Sequence, residues 1–526
     1  MAAAAALFFI TTPAKADWHR AESDHFVIYS DSSPKVLTRF AEMLEHYHEA
    51  LKFLTGRDVA KPSPSSRVVI YVVGSERTLR KLYGDKSASI AGFYIPRAGG
   101  SRAFVPRMRM RSGEPDFSVT VLMHEYAHHF MISSSRFAMP RWLSEGAAEF
   151  FGSARLRKDV LDIGRPAYHR GAELKYADLV TVEQLLDPEK YEQVHGNDLA
   201  SFYGRSWALY HYLSFSDERR GQLSAYWRAV TSGLSSIEAA DQVFGNLGEL
   251  ERELKAYLRL RRINGYSIGL ERLPIGPVRV TELSAGMNDM MPLVIRSQRG
   301  VDKEQALELL PEAREVAAEF PDDADVLAAL AEAEFDAGNS KEAITAADKA
   351  IAINPATKHA YVQKGYALFD LAKDAEPEDE IAAYRSAMAP FAALNKLETD
   401  HPLPLMYLYY SYVRRGAEPS ENARHALERA SELAPFDLGL AFNVGLMQAG
   451  EGKTALAAST LAPLASNPHG GGQAATARRL IEQLKQTPDG EPFSVSTFFR
   501  DQRDDAKDES PKDENPAETR SIHYAG

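Results

Sequence analysis

Two histidines four residues apart, with a glutamate directly after the first, stand at His124-Glu125-Tyr126-Ala127-His128. An α-helix turns once per 3.6 residues, so this spacing projects both imidazoles from one face toward a common point. Two neutral imidazoles hold a zinc ion well, and a carboxylate beside the first can take a proton from the metal's water, the hydrolytic logic of an H-E-x-x-H helix. A catalytic zinc needs a third protein ligand and an open position. Glu145 meets the first need from Pro140-Arg141-Trp142-Leu143-Ser144-Glu145-Gly146-Ala147-Ala148-Glu149, which opens with proline at a helix start and reads as a second helix. Glu149, one turn further along the same face, is placed to accept the other ring N–H of a metal-bound histidine and fix its tautomer.

The elements that must position these groups are legible around them. Phe117, Val121, Met123, Tyr126 and Phe130 surround the histidines in one continuous helical pattern, which Pro115 and Asp116 start. His129 points elsewhere on that helix and reads as a structural or surface residue. Upstream, Arg67-Val68-Val69-Ile70-Tyr71-Val72-Val73, Gly92-Phe93-Tyr94-Ile95-Pro96 and Ser101-Arg102-Ala103-Phe104-Val105 read as β-strands. Arg97, Arg102, Arg107, Arg109 and Arg111 make this region basic, in the manner of a solvated loop.

H-E-x-x-H followed by W-L-S-E-G-A-A-E resembles the gluzincin metallopeptidases, the group containing thermolysin and the zinc aminopeptidases. The resemblance implies an α+β catalytic domain, zinc on His124, His128 and Glu145, Glu125 as general base, and Glu149 behind the ligands. It also implies a sheet beside the zinc helix whose edge strand pairs with an extended substrate. Two departures stand out: the interval from His128 to Glu145 is short, and no G-x-M-E-N-type segment that would bind a free amino terminus lies upstream. Gluzincins stabilise the developing oxyanion with a tyrosine or histidine from a later helix. The stretch Ser201-Phe202-Tyr203-Gly204-Arg205-Ser206-Trp207-Ala208-Leu209-Tyr210-His211-Tyr212-Leu213 is the corresponding place, with Tyr203 first, Tyr210 and His211 after it, and His195 and Asp198 as further candidates for the same cleft.

From residue 287 the composition shifts to alanine-rich helical sequence punctuated by proline. Pro321 and Pro355 stand 34 apart, and Pro402, Pro435 and Pro468 follow at 47, 33 and 33. A 34-residue helix-turn-helix period is the tetratricopeptide signature. Leu327 and Leu330 supply large residues to a first helix, Gly338-Asn339 the turn, and Ala343, Ala347 and Ala350 small residues to a second; Ala423, Leu427, Ala430 and Pro435 repeat the second half. The 47-residue interval implies a longer helix pair around Asp374 to Leu397. Such units stack into an all-α solenoid expected to fold by itself and to offer a protein partner its concave side.

A formal net charge of -12 excludes nucleic acid as the main partner, and the absence of cysteine excludes disulfides and thiolate ligands. Residues 1–16, apolar over Met1 to Ile10, small and polar over Thr11 to Ala16 and ending Ala14-Lys15-Ala16, are expected to be a secretory signal with a truncated start, so the mature chain would be periplasmic or secreted and carry no integral membrane segment. The expected organisation is a catalytic domain over 17–265, a linker at 266–286 in which Pro274, Gly276 and Pro277 stand among short apolar pairs that suit two short strands, a solenoid over 287–485, and a disordered charged tail over 486–526. The expectation is an exported zinc metallopeptidase acting on a peptide or protein substrate. The alternative is a repeat adaptor whose peptidase-like domain binds metal without turnover; the intact Glu125 favours the enzyme.

Overall fold

The structure, a computed structural model, describes residues 17–57, 59–83, 91–106, 115–135, 137–176, 180–192, 201–467 and 470–500. The expected signal segment, Arg107, Arg109, Arg111, His195, Asp198 and residues 501–526 lie outside them. The chain divides into two compact units, 1–440 and 441–526.

The first unit is built on a six-stranded sheet of order β4-β5-β3-β2-β1-β9, comprising β1 (His19–Glu22), β2 (Phe26–Ser30), β3 (Val68–Val72), β4 (Phe93–Ile95), β5 (Arg102–Val105) and β9 (Arg279–Glu282). β2, β3 and β5 run parallel, while β1, β4 and β9 are antiparallel to their neighbours. All three expected strands form. Side chains alternate across a strand, and β3 separates two cores by that rule: Val68, Ile70 and Val72 face one apolar cluster, Tyr71 and Val73 another.

The first cluster joins the sheet to α1 (Pro34–Thr55), α3 (Phe117–Ser133) and α4 (Arg141–Gly152), with α2 (Glu76–Tyr83) at the side of the other cluster. Beyond α4 come the hairpin β6 (Arg155–Arg157) and β7 (Val160–Ile163), then α5 (Gly171–Tyr176), α6 (Val182–Leu186), α7 (Pro188–Glu192), α8 (Phe202–Phe215), α9 (Gln222–Thr231), α10 (Ser236–Phe244) and α11 (Leu247–Tyr257).

The two short strands expected in the linker form, and they join the sheets on either side of it. β8 (Tyr266–Gly269) pairs antiparallel with β7, and β9 pairs antiparallel with β1. Pro274, Gly276 and Pro277 mark only the connection between these two strands, and the apolar residues flanking them are strand positions such as Ile268 and Val280. α12 (Ala285–Gln298) then covers the outer face of the main sheet, where Met291 and Ile295 are buried with Tyr71, Val73 and Phe104. The first helix of the repeat region is therefore one wall of the N-terminal core.

Helices follow in hairpins: α13 (Lys303–Glu319), α14 (Ala324–Asp336), α15 (Ser340–Ile353), α16 (Lys358–Ala372), α17 (Glu380–Leu397), α18 (Pro402–Val413) and α19 (Glu421–Leu433). Leu327, Ala343, Ala347, Ala350, Ala423, Leu427 and Ala430 are buried between them, at the positions the period assigns. Gly338 makes the α14–α15 turn with φ 83°, a left-handed conformation that glycine adopts without strain. α17, at 18 residues, is the long member that the 47-residue interval requires.

α20 (Leu438–Gly450) leads into the second unit, which contains α21 (Thr454–Ala465) and α22 (Gly471–Gln486). The tail does not start at 486. Phe498 is 3% exposed and packs with Leu461, Leu480 and Leu484, and the Phe493 N–H donates to Ala449 O at 2.9 Å. Three phenylalanines, Phe493, Phe498 and Phe499, anchor the stretch that precedes the densely charged residues 501–526. No helix among the described residues is long and apolar enough to cross a membrane.

Candidate metal centre

α3 begins after Asp116, and its buried Val119, Leu122, Met123, Tyr126, Ala127 and Phe130 fix it against the sheet and α1. Phe117, by contrast, is exposed. α4 crosses close to both α3 and α8 because glycine stands at each crossing. A Cβ on Gly146 would come within 2.5 Å of Ser206 O, and one on Gly152 within 3.2 Å of the His124 backbone. Small residues thus let the W-L-S-E-G-A-A-E helix lie directly beside the histidines.

The result is a convergence of three donor atoms. His124 Nε2 and His128 Nε2 are 3.1 Å apart, and Glu145 Oε2 lies 3.3 Å from each. These three residues form a group of metal-ligating side chains among the described residues. Ligand atoms ~2.0–2.1 Å from a tetrahedral zinc stand about 3.3–3.4 Å apart, so the set has the size of a zinc coordination shell.

The surroundings bear on protonation. Glu149 Oε1 lies 3.3 Å from His124 Nδ1. A carboxylate there draws the ring proton to Nδ1 and leaves a lone pair on Nε2, aimed at the Glu145 oxygen. Two lone pairs face each other unless a cation lies between them. Burial works against a charged ring, yet hydrogen bonds to Glu145 and Glu149 push the His124 pKa up to about 10. In the absence of a metal a proton answers the same demand, so the donor set fits a divalent cation.

His128 has its own support, Ser144 Oγ, at 3.1 Å from Nδ1. Glu149 is held in turn by His169 Nε2 at 2.7 Å and by Arg170 Nη2 at 2.6 Å. Burial opposes its ionisation, but hydrogen bonds from His124, His169 and Arg170 keep the carboxyl well below its usual range. Reading the sequence did not find Ser144, His169 or Arg170. Ser144 precedes Glu145 in the chain, but nothing in its spacing points to His128. His169 and Arg170 come from the turn after β7, where nothing local marks them.

Glu125 lies on α3, half-buried, and its charge is felt at Tyr94 of β4. Tyr203, at the start of α8, senses the charge of Glu145 and shares a hydrogen bond with Arg141, and its hydroxyl is pushed up to about 12, chiefly by burial. Arg170 Cζ sits 4.7 Å above its ring. The fallbacks are placed in the core instead: His211 is buried with Nε2 against Gly164 O at 2.8 Å and Nδ1 against Tyr257 OH at 2.8 Å, and Tyr210 packs on Phe150 and Phe151. Both His211 nitrogens are committed, which removes it as an oxyanion donor.

No family model matches the sequence, and no curated protein matches it. Solved structures similar to part of the chain include TTC0263, a thermophilic TPR protein of Thermus thermophilus, at 16% identity over 38% of this chain and 100% of that one, TM-score 0.33. Another is MamA 41-end from Desulfovibrio magneticus RS-1, at 18% identity over 39% of this chain and 98% of that one, TM-score 0.26. A further MamA structure matches at 17% identity over 39% of this chain and 96% of that one, TM-score 0.25. At such scores the repeat region is characterised by its own period and hairpins.

Proposed function

We propose that the chain is a zinc-dependent metallopeptidase. The observation that carries this reading is the triangle of His124 Nε2, His128 Nε2 and Glu145 Oε2, with sides of 3.1, 3.3 and 3.3 Å, on a helix where Glu125 directly follows His124. A zinc ion bound there would supply a Lewis acid and lower the pKa of a water. Glu125 takes the proton from the attacking water and passes it to the leaving amine. Glu149 and Ser144 hold the two imidazoles in orientation, and the Tyr203 hydroxyl donates to the oxygen on which negative charge develops. The exported location that residues 1–16 suggest belongs to the same proposal.

A second reading keeps the metal and drops the turnover: an adaptor built on the helical array, which makes up much of the chain. The hairpins from α12 to α19 favour it, since stacked hairpins offer a long surface for protein partners. Metal analysis and a peptide-library cleavage assay on wild type and Glu125→Gln separate the two. The peptidase reading expects one zinc in both proteins and cleavage by wild type alone; zinc without cleavage in either supports the adaptor.

A further inference from the structure

The first helices of successive hairpins adjoin one another, α12 with α14, α14 with α16, and α16 with α18 through Tyr366 and Phe369 against Tyr407, and so form one face of the array, the face that a helical solenoid ordinarily turns to a partner. In this chain that face meets the N-terminal domain at point after point. Met291 and Ile295 of α12 share a core with Tyr71 and Phe104. The charge of Arg102 on β5 is felt at Glu332 of α14. Glu398, just before α18, accepts the Ser65 N–H at 2.9 Å. Leu403 of α18 lies so close to Gly99 that a Cβ there would stand 3.0 Å away. Most of these contacts fall on β4, β5 and the turn between them.

The last contact reaches the metal helix. His129 follows the ligand His128, and its Nδ1 is 2.6 Å from the Tyr94 hydroxyl of edge strand β4, so this pair staples strand to helix. The Phe436 ring covers the staple, its centroid 4.6 Å from that of His129. The next residue, Asp437, accepts the Ala98 N–H at 2.8 Å through Oδ2. Its other oxygen accepts the Leu440 N–H at 2.9 Å, which fixes the carboxylate to the start of α20. One turn of the array therefore grips both the metal helix and the end of the edge strand.

We propose that the inner face of the array is an intramolecular dock for the chain's own Phe93–Val105 segment, and that Phe436 and Asp437 are positioning residues that hold edge strand β4 against α3, so that an extended substrate chain meets a strand fixed in place. The dock stands on the contacts alone; its effect on substrate rests on the peptidase reading. Neither residue touches the reacting atoms. They act by holding Tyr94, His129 and Ala98 in place.

The test uses the full-length chain with Phe436→Ala, Asp437→Ala and the conservative Phe436→Tyr, followed by amide hydrogen exchange, zinc content and peptide kinetics. We expect exchange within Phe93–Val105 to rise about tenfold in the two alanine variants while α13 and α15 keep their protection, because only local contacts are lost. Zinc stoichiometry should be unchanged, KM for an extended peptide should rise more than kcat falls, and Phe436→Tyr should restore wild-type values. Unchanged exchange in Phe93–Val105 would overturn the proposal, as would a rise spread evenly over the first unit, which marks general destabilisation. Should Phe436→Ala not fold, Asp437→Ala, which removes one hydrogen bond and one cap, decides by the same readout. If wild type cleaves no peptide, the peptidase reading fails while exchange still decides the dock.

Discussion

At the scale of residues, chemistry concentrates where three side chains would repel without a cation. Replacing His124, His128 or Glu145 by alanine is expected to abolish stoichiometric zinc, measured by elemental analysis of folded protein, because two ligands do not make a closed set. Ser144→Ala should be subtler. It leaves all three ligands but frees the His128 ring to rotate, so zinc affinity should fall about 10–100-fold, the usual cost of losing a group behind a ligand. Competition with a chelator reads this directly; unchanged affinity would mean that Ser144 only fills space. Tyr203→Phe should keep zinc and lower turnover by roughly 10²-fold, as loss of one oxyanion donor does. Normal turnover in that variant would return Tyr203 to a packing role under Arg170.

At the scale of elements, the site depends on how closely three helices approach. Gly146→Ala would drive a methyl group into Ser206 O, where backbone on both sides cannot yield, so a loss of about 1–3 kcal/mol is expected in denaturant unfolding. The packing of α1 against α3 adds a dependence on pH. His48 is buried, with Nδ1 2.7 Å from Tyr126 OH and its ring stacked on His25, and burial first, then neighbouring positive charge, lowers its pKa to about 2. An unfolded histidine titrates near 6.5, so between there and about 2 the unfolded chain binds a proton that the folded chain does not. Stability from this group is thus complete above pH 6.5 and falls as pH drops, by about 1.4 kcal/mol per unit. His48→Gln should flatten the acid limb of a stability–pH curve, and an unchanged slope would exclude His48 as its source.

Much of this was legible from residue order. The helical spacing of His124 and His128, proline at the start of α4 and the turn from Glu145 to Glu149 are local facts, and local facts survive folding. The β-branched run at β3 and the proline period of the array are equally local. What escaped was long-range. The apolar pairs on either side of Pro274–Pro277 mark two short strands, but not their partners: β9 pairs with β1 and β8 with β7, each far away in sequence. His169 and Arg170 reach Glu149 from a turn whose placement depends on a hairpin. The charge of 501–526 drew the expected tail boundary back across Phe493, Phe498 and Phe499, whose partners lie on helices earlier in the chain.

At the scale of the whole molecule, the boundary between the N-terminal α+β domain and the array is a line drawn in sequence, and the packing ignores it. A chain ended at 265 would lose β8, β9 and α12 together. That removes one edge partner from each sheet and uncovers the face of Tyr71, Val73, Phe104 and Leu79, which Met291 and Ile295 now bury. Burial of such side chains contributes roughly 1.5–3 kcal/mol each, a large share of the 5–15 kcal/mol that holds a typical domain together. The fragment is therefore expected to be insoluble or molten, with no stoichiometric zinc. A chain ended after Gly450 keeps the whole first unit with Phe436 and Asp437, and should bind zinc and unfold near the full-length temperature. Thermal unfolding and metal analysis of the two truncations make the comparison. A folded, zinc-loaded 17–265 fragment would show that α12 merely rests on the sheet, whereas its collapse beside an intact 17–450 chain would make the first part of the array structural to the metal site.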